Sequence, residues 1–560
     1  MMNKAVKITL GLILVGSAVF AQSLADARKA IDAEQYQKGK AILNTLTSSQ
    51  PTNAENFFFL GNLYLTTSPI YIRPDYIDSA RTAFNKGISA NAEYPLNYVG
   101  LGAIDLAKKS SPKANFDKAL SLTKKKDHTT DLYIGRAYVN APSPMITEGL
   151  VHLEKAKVLN EKDAQLYLVL GDAYRSKQMN SEAFSAYRSA FELDKTFLRS
   201  KVELGKINKL SKAYPESSAE FNSVIALDAN YGPAYRELAE TYYLWANSEN
   251  KGYAERIKQA LTYYEKYMDL TDRSLDSRLR HADFLFLTKD FKALEAEANE
   301  MAKLDKVNPR VLRYLAYSAF ENGNFAASSQ ALKDFISKVE PSRIISKDYL
   351  YLGRAQMKDT TMMSEAIANI TKAVDMDSTN AAVMSEIGQA LFKAKKYADA
   401  AKAYEISIKN PERALLDYYY LGSSYYFNYG ALKSANMNPE KDLLVKADSA
   451  FSYLVQRSPT TQIGWQYRGR INRLMDDEND SQGLAVPFYE KFVTLVTVDK
   501  PELAAKSTAG LIEAYNYLGS VAARKDGDNV KAKEYFDKVL ALDPANVTAT
   551  QAVKAIEGSK

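Results

Sequence analysis

Leu170-Gly171-Asp172-Ala173-Tyr174, followed nine residues later by Ala183, Tyr187 and Ala190, is the stretch that decides the fold. The first part is an apolar residue, a small residue and an aromatic three positions on. The second is a small residue, a bulky one four later and a small one three after that. Spacings of four and three place these side chains on one helical face. The first pattern returns at Leu60-Gly61-Asn62-Leu63-Tyr64, Ile134-Gly135-Arg136-Ala137-Tyr138 and Leu421-Gly422-Ser423-Ser424-Tyr425. Weaker copies fall at Gly102, Gly205, Ala239, Ala282, Ala316, Gly353, Gly388 and Gly469. The second pattern returns at Ala366-Ile370-Ala373, Ala447-Phe451-Leu454 and Ala532-Phe536-Val539. Neighbouring copies are mostly 33 to 37 residues apart, and Pro51, Pro309, Pro411, Pro459 and Pro544 close units. Proline stops a helix because it lacks an N–H and clashes with the preceding turn. The repeating unit is therefore two antiparallel helices joined by a short turn. Its small residues let the helices approach closely, and an array is needed because one pair cannot bury its apolar face alone.

This pattern resembles the tetratricopeptide repeat family, in its exported bacterial type, across nearly the whole chain. Trp465-Gln466-Tyr467-Arg468-Gly469 carries the family's tryptophan four residues before its glycine. The resemblance implies an all-α fold, an αα-superhelix (solenoid) of about 14 repeats spanning residues 22–545, with a C-terminal capping helix and tail at 546–560. The first unit runs through Ala27, Gly39, Leu43 and Leu46, and Val547 to Ile556 reads as the cap. Pro112 replaces the second-helix alanine in unit three, Leu294 and Ser328 do so in units eight and nine, and unit fourteen shows no small residue in its first helix. The Lys/Asn/Arg set with which some members clamp chaperone tails is not found.

Lys4 and Lys7 precede an apolar run from Ile8 to Phe20, and Val19-Phe20-Ala21 offers small residues for cleavage, so residues 1–21 read as a signal peptide. The run is too short to span a bilayer comfortably. An exported, periplasmic or envelope-associated protein is expected, with peripheral attachment to membrane complexes as its membrane role. The 73 basic and 67 acidic residues give a formal net charge of +6, and no basic face is clustered enough to suggest nucleic acid. Lys124-Lys125-Lys126 reads as a solvated turn. Cysteine is absent, which excludes disulfides, thiol catalysis and thiolate metal sites.

The array departs from its own rule at three places. In regular units the two small residues are 12 apart, as from Gly171 to Ala183; the gap is 19 from Gly61 to Ala80, 21 from Ala239 to Ala260 and 25 from Gly422 to Ala447. These insertions, at 65–75, 245–255 and 427–441, fall between the two helices of a pair and are rich in aromatics. Tyr243, Trp245, Tyr426, Phe427 and Tyr429 cannot all face one core, because adjacent helical residues point 100° apart. They either lock each insertion onto the neighbouring unit or form an aromatic edge for a partner. The groove should be lined by residues just after the small residue and one turn on: Arg136, Arg175, Lys206, Lys209, Arg354, Arg470 and Arg473, mixed with Asp172, Glu240 and Asp283. Arg470 and Arg473 are the pair that would meet an acidic peptide, but a charged exposed helical face is ordinary for this family, and that plainer reading is the expected one.

No catalytic, cofactor-binding or metal site is expected. His128, His152 and His281 are isolated, with His128 expected in solvent, and the Asp476-Asp477-Glu478 turn has no partner fixing it. The functional expectation is a non-catalytic scaffold or adaptor that binds one or more proteins in the cell envelope. The alternatives are a binding protein for a non-protein ligand such as a glycan, and a chaperone-like factor in envelope assembly or secretion.

Overall fold

The computed structural model describes residues 22–66, 74–410 and 412–558. The expected signal peptide, residues 67–73 of the first insertion and Pro411 lie outside them. The described residues form 29 α-helices and no strand, so the all-α expectation holds. They fall into two units, 1–306 and 307–560.

In the first unit, α1 (Leu24–Asp32) pairs with α2 (Tyr36–Ser49), α3 (Ala54–Thr66) with α4 (Pro74–Ala90), α5 (Leu96–Ala107) with α6 (Lys113–Leu122), and α7 (Thr129–Val139) with α8 (Ile146–Leu159). Then come α9 (Ala164–Ser176) with α10 (Asn180–Leu193), α11 (Leu198–Leu210) with α12 (Tyr214–Leu227), α13 (Gly232–Ser248) with α14 (Tyr253–Leu270), and α15 (Leu275–Thr288) with α16 (Phe291–Leu304). The second unit pairs α17 (Pro309–Glu321) with α18 (Phe325–Lys338), α19 (Ser346–Gln356) with α20 (Met363–Met376), and α21 (Ala382–Lys393) with α22 (Tyr397–Ser407). It continues with α23 (Leu415–Ser434) and α24 (Asp442–Arg457), α25 (Gln462–Met475) and α26 (Val486–Thr494), and α27 (Thr508–Arg524) and α28 (Asn529–Leu542), against which α29 (Val547–Gly558) packs.

The close approach inside each pair follows from the small residues. A Cβ on Gly171 would lie 2.4 Å from the Tyr187 ring, and one on Gly61 would lie 2.3 Å from the Phe84 ring. The second-helix aromatic is thus seated directly on first-helix backbone. Ala183, Tyr187 and Ala190 have no exposed surface, and each large side chain buried this way contributes about 2–3 kcal/mol. The fourteenth pair obeys the same rule, against the expectation that it lacks a small residue: Gly519 receives the Phe536 ring. Its distance to Ala532 is one residue longer than the regular spacing, which takes it out of register with the other copies. In unit three Pro112 stands just before α6, where its missing N–H costs nothing, and Phe116 and Ala119 fill the core.

Several turns inside the pairs use one left-handed residue, at Glu34, Gln178, Lys212, Lys289 and Lys395. Between pairs, side-chain caps take the first free N–H groups, as Asp163 does for Gln165 and Leu166. Within each unit, successive first helices touch more extensively than successive second helices. Each stack therefore curves with its first helices inside, and their exposed side chains form the inner face.

Candidate interaction surfaces

The insertions at 245–255 and 427–441 are spent largely on longer first helices, while most of the one at 65–75 lies outside the described residues. α13 runs to Ser248 and α23 to Ser434, well past the ends of their neighbours. Their aromatics cover neighbouring pairs. Trp245 stacks on Tyr214, the first residue of α12, at 6.1 Å, with the Arg256 guanidinium 4.2 Å from its ring. Phe427 stacks on Tyr397, the first residue of α22, at 5.4 Å, and also meets Phe392 and Tyr467. Tyr243 meets Phe284 edge-on at 6.0 Å under Arg280, and Tyr426 meets Tyr467 at 5.4 Å. Tyr429 is 6% exposed and belongs to the core. The aromatic residues singled out in sequence are thus engaged in locking one pair to the next. Of the candidate arginines, Arg470 donates to Glu513 at 2.7 Å, while Arg473 lies 3.6 Å from Asp480 and over the Tyr517 ring.

The inner faces carry a recurring arrangement of a carboxylate on one first helix and a cation on a neighbouring one. Arg199 of α11 donates to Asp172 of α9 at 2.8 Å, and Arg280 of α15 to Glu240 of α13 at 2.7 Å. Lys209 of α11 meets Glu237 of α13 at 2.5 Å. In the second unit, Arg313 of α17 donates to Asp348 of α19 at 2.8 Å, and Arg470 of α25 to Glu513 of α27. Tyr187, Tyr317 and Tyr489 add hydroxyl donors to Asp172, Asp348 and Glu513. Burial pushes all three phenols up, and the carboxylates push in the same direction. Burial opposes the charge on Glu237, but Arg236 and Lys209 outweigh it and hold its pKa at about 2. Burial pushes Glu513 up, but the hydrogen bonds and charge of Arg470, with the hydrogen bonds from Tyr489 and Gln466, together outweigh it and hold the carboxyl below the usual range. Of the other groove residues expected from sequence, Arg175 and Lys206 meet Glu203, Asp283 meets Arg280, and Arg354 lies over Phe320.

One feature of the first unit has no counterpart in the repeat pattern. The turn between α1 and α2 meets α13 and α14, about 200 residues on. Tyr231 donates to Asp32 at 2.9 Å, and Arg236 and Tyr267 donate to Glu34 at 2.5 and 2.9 Å. Gln35 donates to the Leu270 carbonyl at 3.1 Å, and the Gln37 N–H to Asp272 at 2.8 Å. The first seven pairs close on themselves, and α1 lies along the inner face formed by α9, α11 and α13. A repeat period carries no signal for such closure.

The histidines are structural. His128 is not in solvent: its Nε2 lies 2.7 Å from Asp163, the cap of α9, because the turn folds back onto the next pair. His152 meets Asp131 at 2.6 Å, and His281 meets Glu297 at 3.2 Å. The acidic turn is fixed by backbone, since Asp476 accepts from the N–H groups of Asp477, Gln482 and Leu484. Among the described residues, no group of three His, Cys, Asp or Glu side chains could hold a metal ion, and no helix is long and apolar enough to cross a membrane.

Sequence models of the tetratricopeptide repeat family match residues 164–197, 364–414 and 512–546. The chain is 24% identical over 260 residues to tetratricopeptide repeat protein 37 of Xenopus laevis, a match covering 45% of this chain and 16% of that protein. Among solved structures, it is similar to the C-terminal part of a repeat-containing protein from Cytophaga hutchinsonii, with 29% identity over 49% of this chain and 99% of that one, and a TM-score of 0.30. A tetratricopeptide repeat protein from Parabacteroides merdae shares 14% identity over 45% of this chain and 93% of its own, with a TM-score of 0.30.

Proposed function

We propose that this tetratricopeptide-repeat protein is a non-catalytic scaffold of the bacterial cell envelope, exported by its N-terminal segment, that captures other proteins on the inner faces of its first helices. Tetratricopeptide repeats bind proteins in general. The observation that carries the reading here is the inner-face network itself. Arg199–Asp172, Arg280–Glu240, Arg313–Asp348 and Arg470–Glu513 tie neighbouring first helices together and fix arginine and tyrosine side chains in place. A surface held in one geometry loses little freedom on binding, and Tyr and Arg are favoured contact residues. Trp245 is engaged by Tyr214 and Arg256, which takes the ring that a glycan would stack on and favours a protein partner.

The test is photo-crosslinking in cells. A crosslinking residue in place of Arg354, on the inner face, should give covalent adducts with other proteins. The same residue in place of Lys402, exposed on the second helix α22, should give few. Equal labelling at both places, or none at Arg354, removes the inner-face assignment. Fractionation and N-terminal sequencing test export: a mature chain starting at Gln22 outside the cytoplasm is expected, and an uncleaved cytoplasmic chain overturns the envelope role.

A further inference from the structure

Two places in the second unit share one register and fill it with different residues. Arg313 stands three residues before Ala316 on α17, and Asp348 stands five before Gly353 on α19. Ser385 stands three before Gly388 on α21, and Asp417 five before Gly422 on α23. The contact repeats with the register. Arg313 reaches both oxygens of Asp348, Nε to Oδ1 at 2.8 Å and Nη2 to Oδ2 at 2.9 Å. In the matching place the Ser385 hydroxyl donates to Asp417 Oδ1 at 2.6 Å. A hydroxyl therefore stands where the earlier pair has a guanidinium.

The second helices change in step. The Arg313 guanidinium lies 4.9 Å from the ring of Phe335, which follows Ser328 by seven residues on α18. Ser407 follows Ala400 by seven residues on α22, and its hydroxyl donates to Asp417 Oδ2 at 2.7 Å. Asp417 is 5% exposed and forms no ion pair among the described residues. The Tyr404 hydroxyl is buried with no hydrogen-bond partner, and burial and then the Asp417 charge push that phenol up. Asp348 and Asp417 both stand in the first turn of their helices. The helix N-terminus favours the two alike, so it does not account for one having a cation and the other none.

A carboxylate taken out of water with only neutral donors bears a desolvation cost that a cation offsets. Two carboxylate oxygens offer about four lone-pair sites, and Ser385 and Ser407 take one on each oxygen. The remaining sites suit a guanidinium, whose fork engages both oxygens at once, as Arg313 does at Asp348. Ser385 is half-buried on the inner face, so Asp417 lies one side chain below the surface. Glu386, exposed beside Ser385 on α21, adds charge of the same sign.

We propose that Asp417, with Ser385 and Ser407, forms a site for a guanidinium group on the inner face of the second unit. The group is supplied from outside the chain, either by an arginine side chain of a protein or by a small guanidinium compound. The site goes beyond the scaffold reading, and neither depends on the other: an absence of crosslinked partners leaves the site untouched, and a failure to bind guanidinium leaves the scaffold untouched.

Isothermal titration of the full chain at low ionic strength tests it, with methylguanidinium, a blocked Gly-Arg-Gly tripeptide and its uncharged citrulline analogue as probes. Methylguanidinium and the arginine tripeptide should bind saturably at one site per chain, and the citrulline tripeptide should not. Asp417→Asn should weaken that binding at least tenfold without lowering the unfolding midpoint, because it removes a buried charge that has no ion pair. Ser385→Arg supplies the cation from within, as Arg313 does for Asp348, so it should abolish the binding and raise the midpoint. Asp537→Asn, exposed on α28, should bind as the parent does. Tighter binding of the arginine tripeptide identifies a protein side chain as the source, and equal or weaker binding identifies a free guanidinium compound. No saturable binding of either cation, equal binding by Asp417→Asn, undiminished binding by Ser385→Arg, or citrulline binding as tightly as arginine overturns the proposal.

Discussion

The Arg236 guanidinium donates to both carboxylate oxygens of Glu34, at 2.5 and 2.6 Å, across 202 residues of sequence. Glu34 occupies the left-handed position of the first turn, and the Tyr267 hydroxyl donates to it as well. Breaking a half-buried pair leaves one charge uncompensated, so Glu34→Gln should cost about 2–4 kcal/mol. The effect should be local. Hydrogen exchange should quicken in α1, α13 and α14 and stay as it was in α19 to α22. Unchanged protection in α14 would show that the closure holds nothing together.

Glu237 sets a pH dependence. Its folded pKa of about 2 lies below the ordinary 4.5, because Arg236 and Lys209 outweigh the cost of burial. A depressed carboxylate stabilises the fold fully above its unfolded pKa, and that contribution fades as pH falls from about 4.5 towards 2. The shift corresponds to about 3 kcal/mol. Urea unfolding of the first unit should weaken between pH 6 and pH 3. Glu237→Gln should be less stable at pH 6 and lose less over the same interval. Parallel curves for the two proteins would place the acid sensitivity elsewhere.

The repeat was legible because its physics is local. Gly171 and Tyr187 stand sixteen residues apart, and the requirement that one lack a Cβ while the other be large is visible in any single copy. Gly519 escaped the pattern because one extra residue before Ala532 breaks the register, though the contact with Phe536 is the same. The groove charges were legible as a set, since the position after the small residue selects the inner face. Their partners were not, because Arg313–Asp348 and Arg199–Asp172 depend on how successive pairs rotate against each other. Least legible was Glu34–Arg236. It depends on accumulated curvature over six pairs, and no residue pattern of one period encodes that sum.

Asp348 has no exposed side-chain surface and relies on Arg313, on Tyr317 and on the Ile345 N–H. Arg313→Met leaves the carboxylate without its cation and should destabilise the second unit by about 3–5 kcal/mol. Adding Asp348→Asn removes the stranded charge while keeping an acceptor for Tyr317. The double variant should therefore recover much of the loss, measured as a coupling energy in denaturant unfolding. Additive effects would mean that the pair acts only through packing.

Gly171 and Gly430 are both helical glycines, and they should respond to alanine in opposite directions. At Gly171 the new Cβ would sit 2.4 Å from the Tyr187 ring. That ring cannot swing away, because it has no exposed surface and its hydroxyl is held by Asp172. Gly171→Ala must therefore push α9 and α10 apart, at a cost of about 1–3 kcal/mol or more. At Gly430, in the extended end of α23, nothing lies within 4 Å of the new Cβ. There the gain in helix propensity should dominate, and Gly430→Ala should stabilise the second unit by about 0.5–1 kcal/mol. Denaturant midpoints of the two variants measured side by side check the sign. A loss of stability at Gly430 comparable to that at Gly171 would mean that the extended end of α23 is more tightly enclosed than its open surroundings imply.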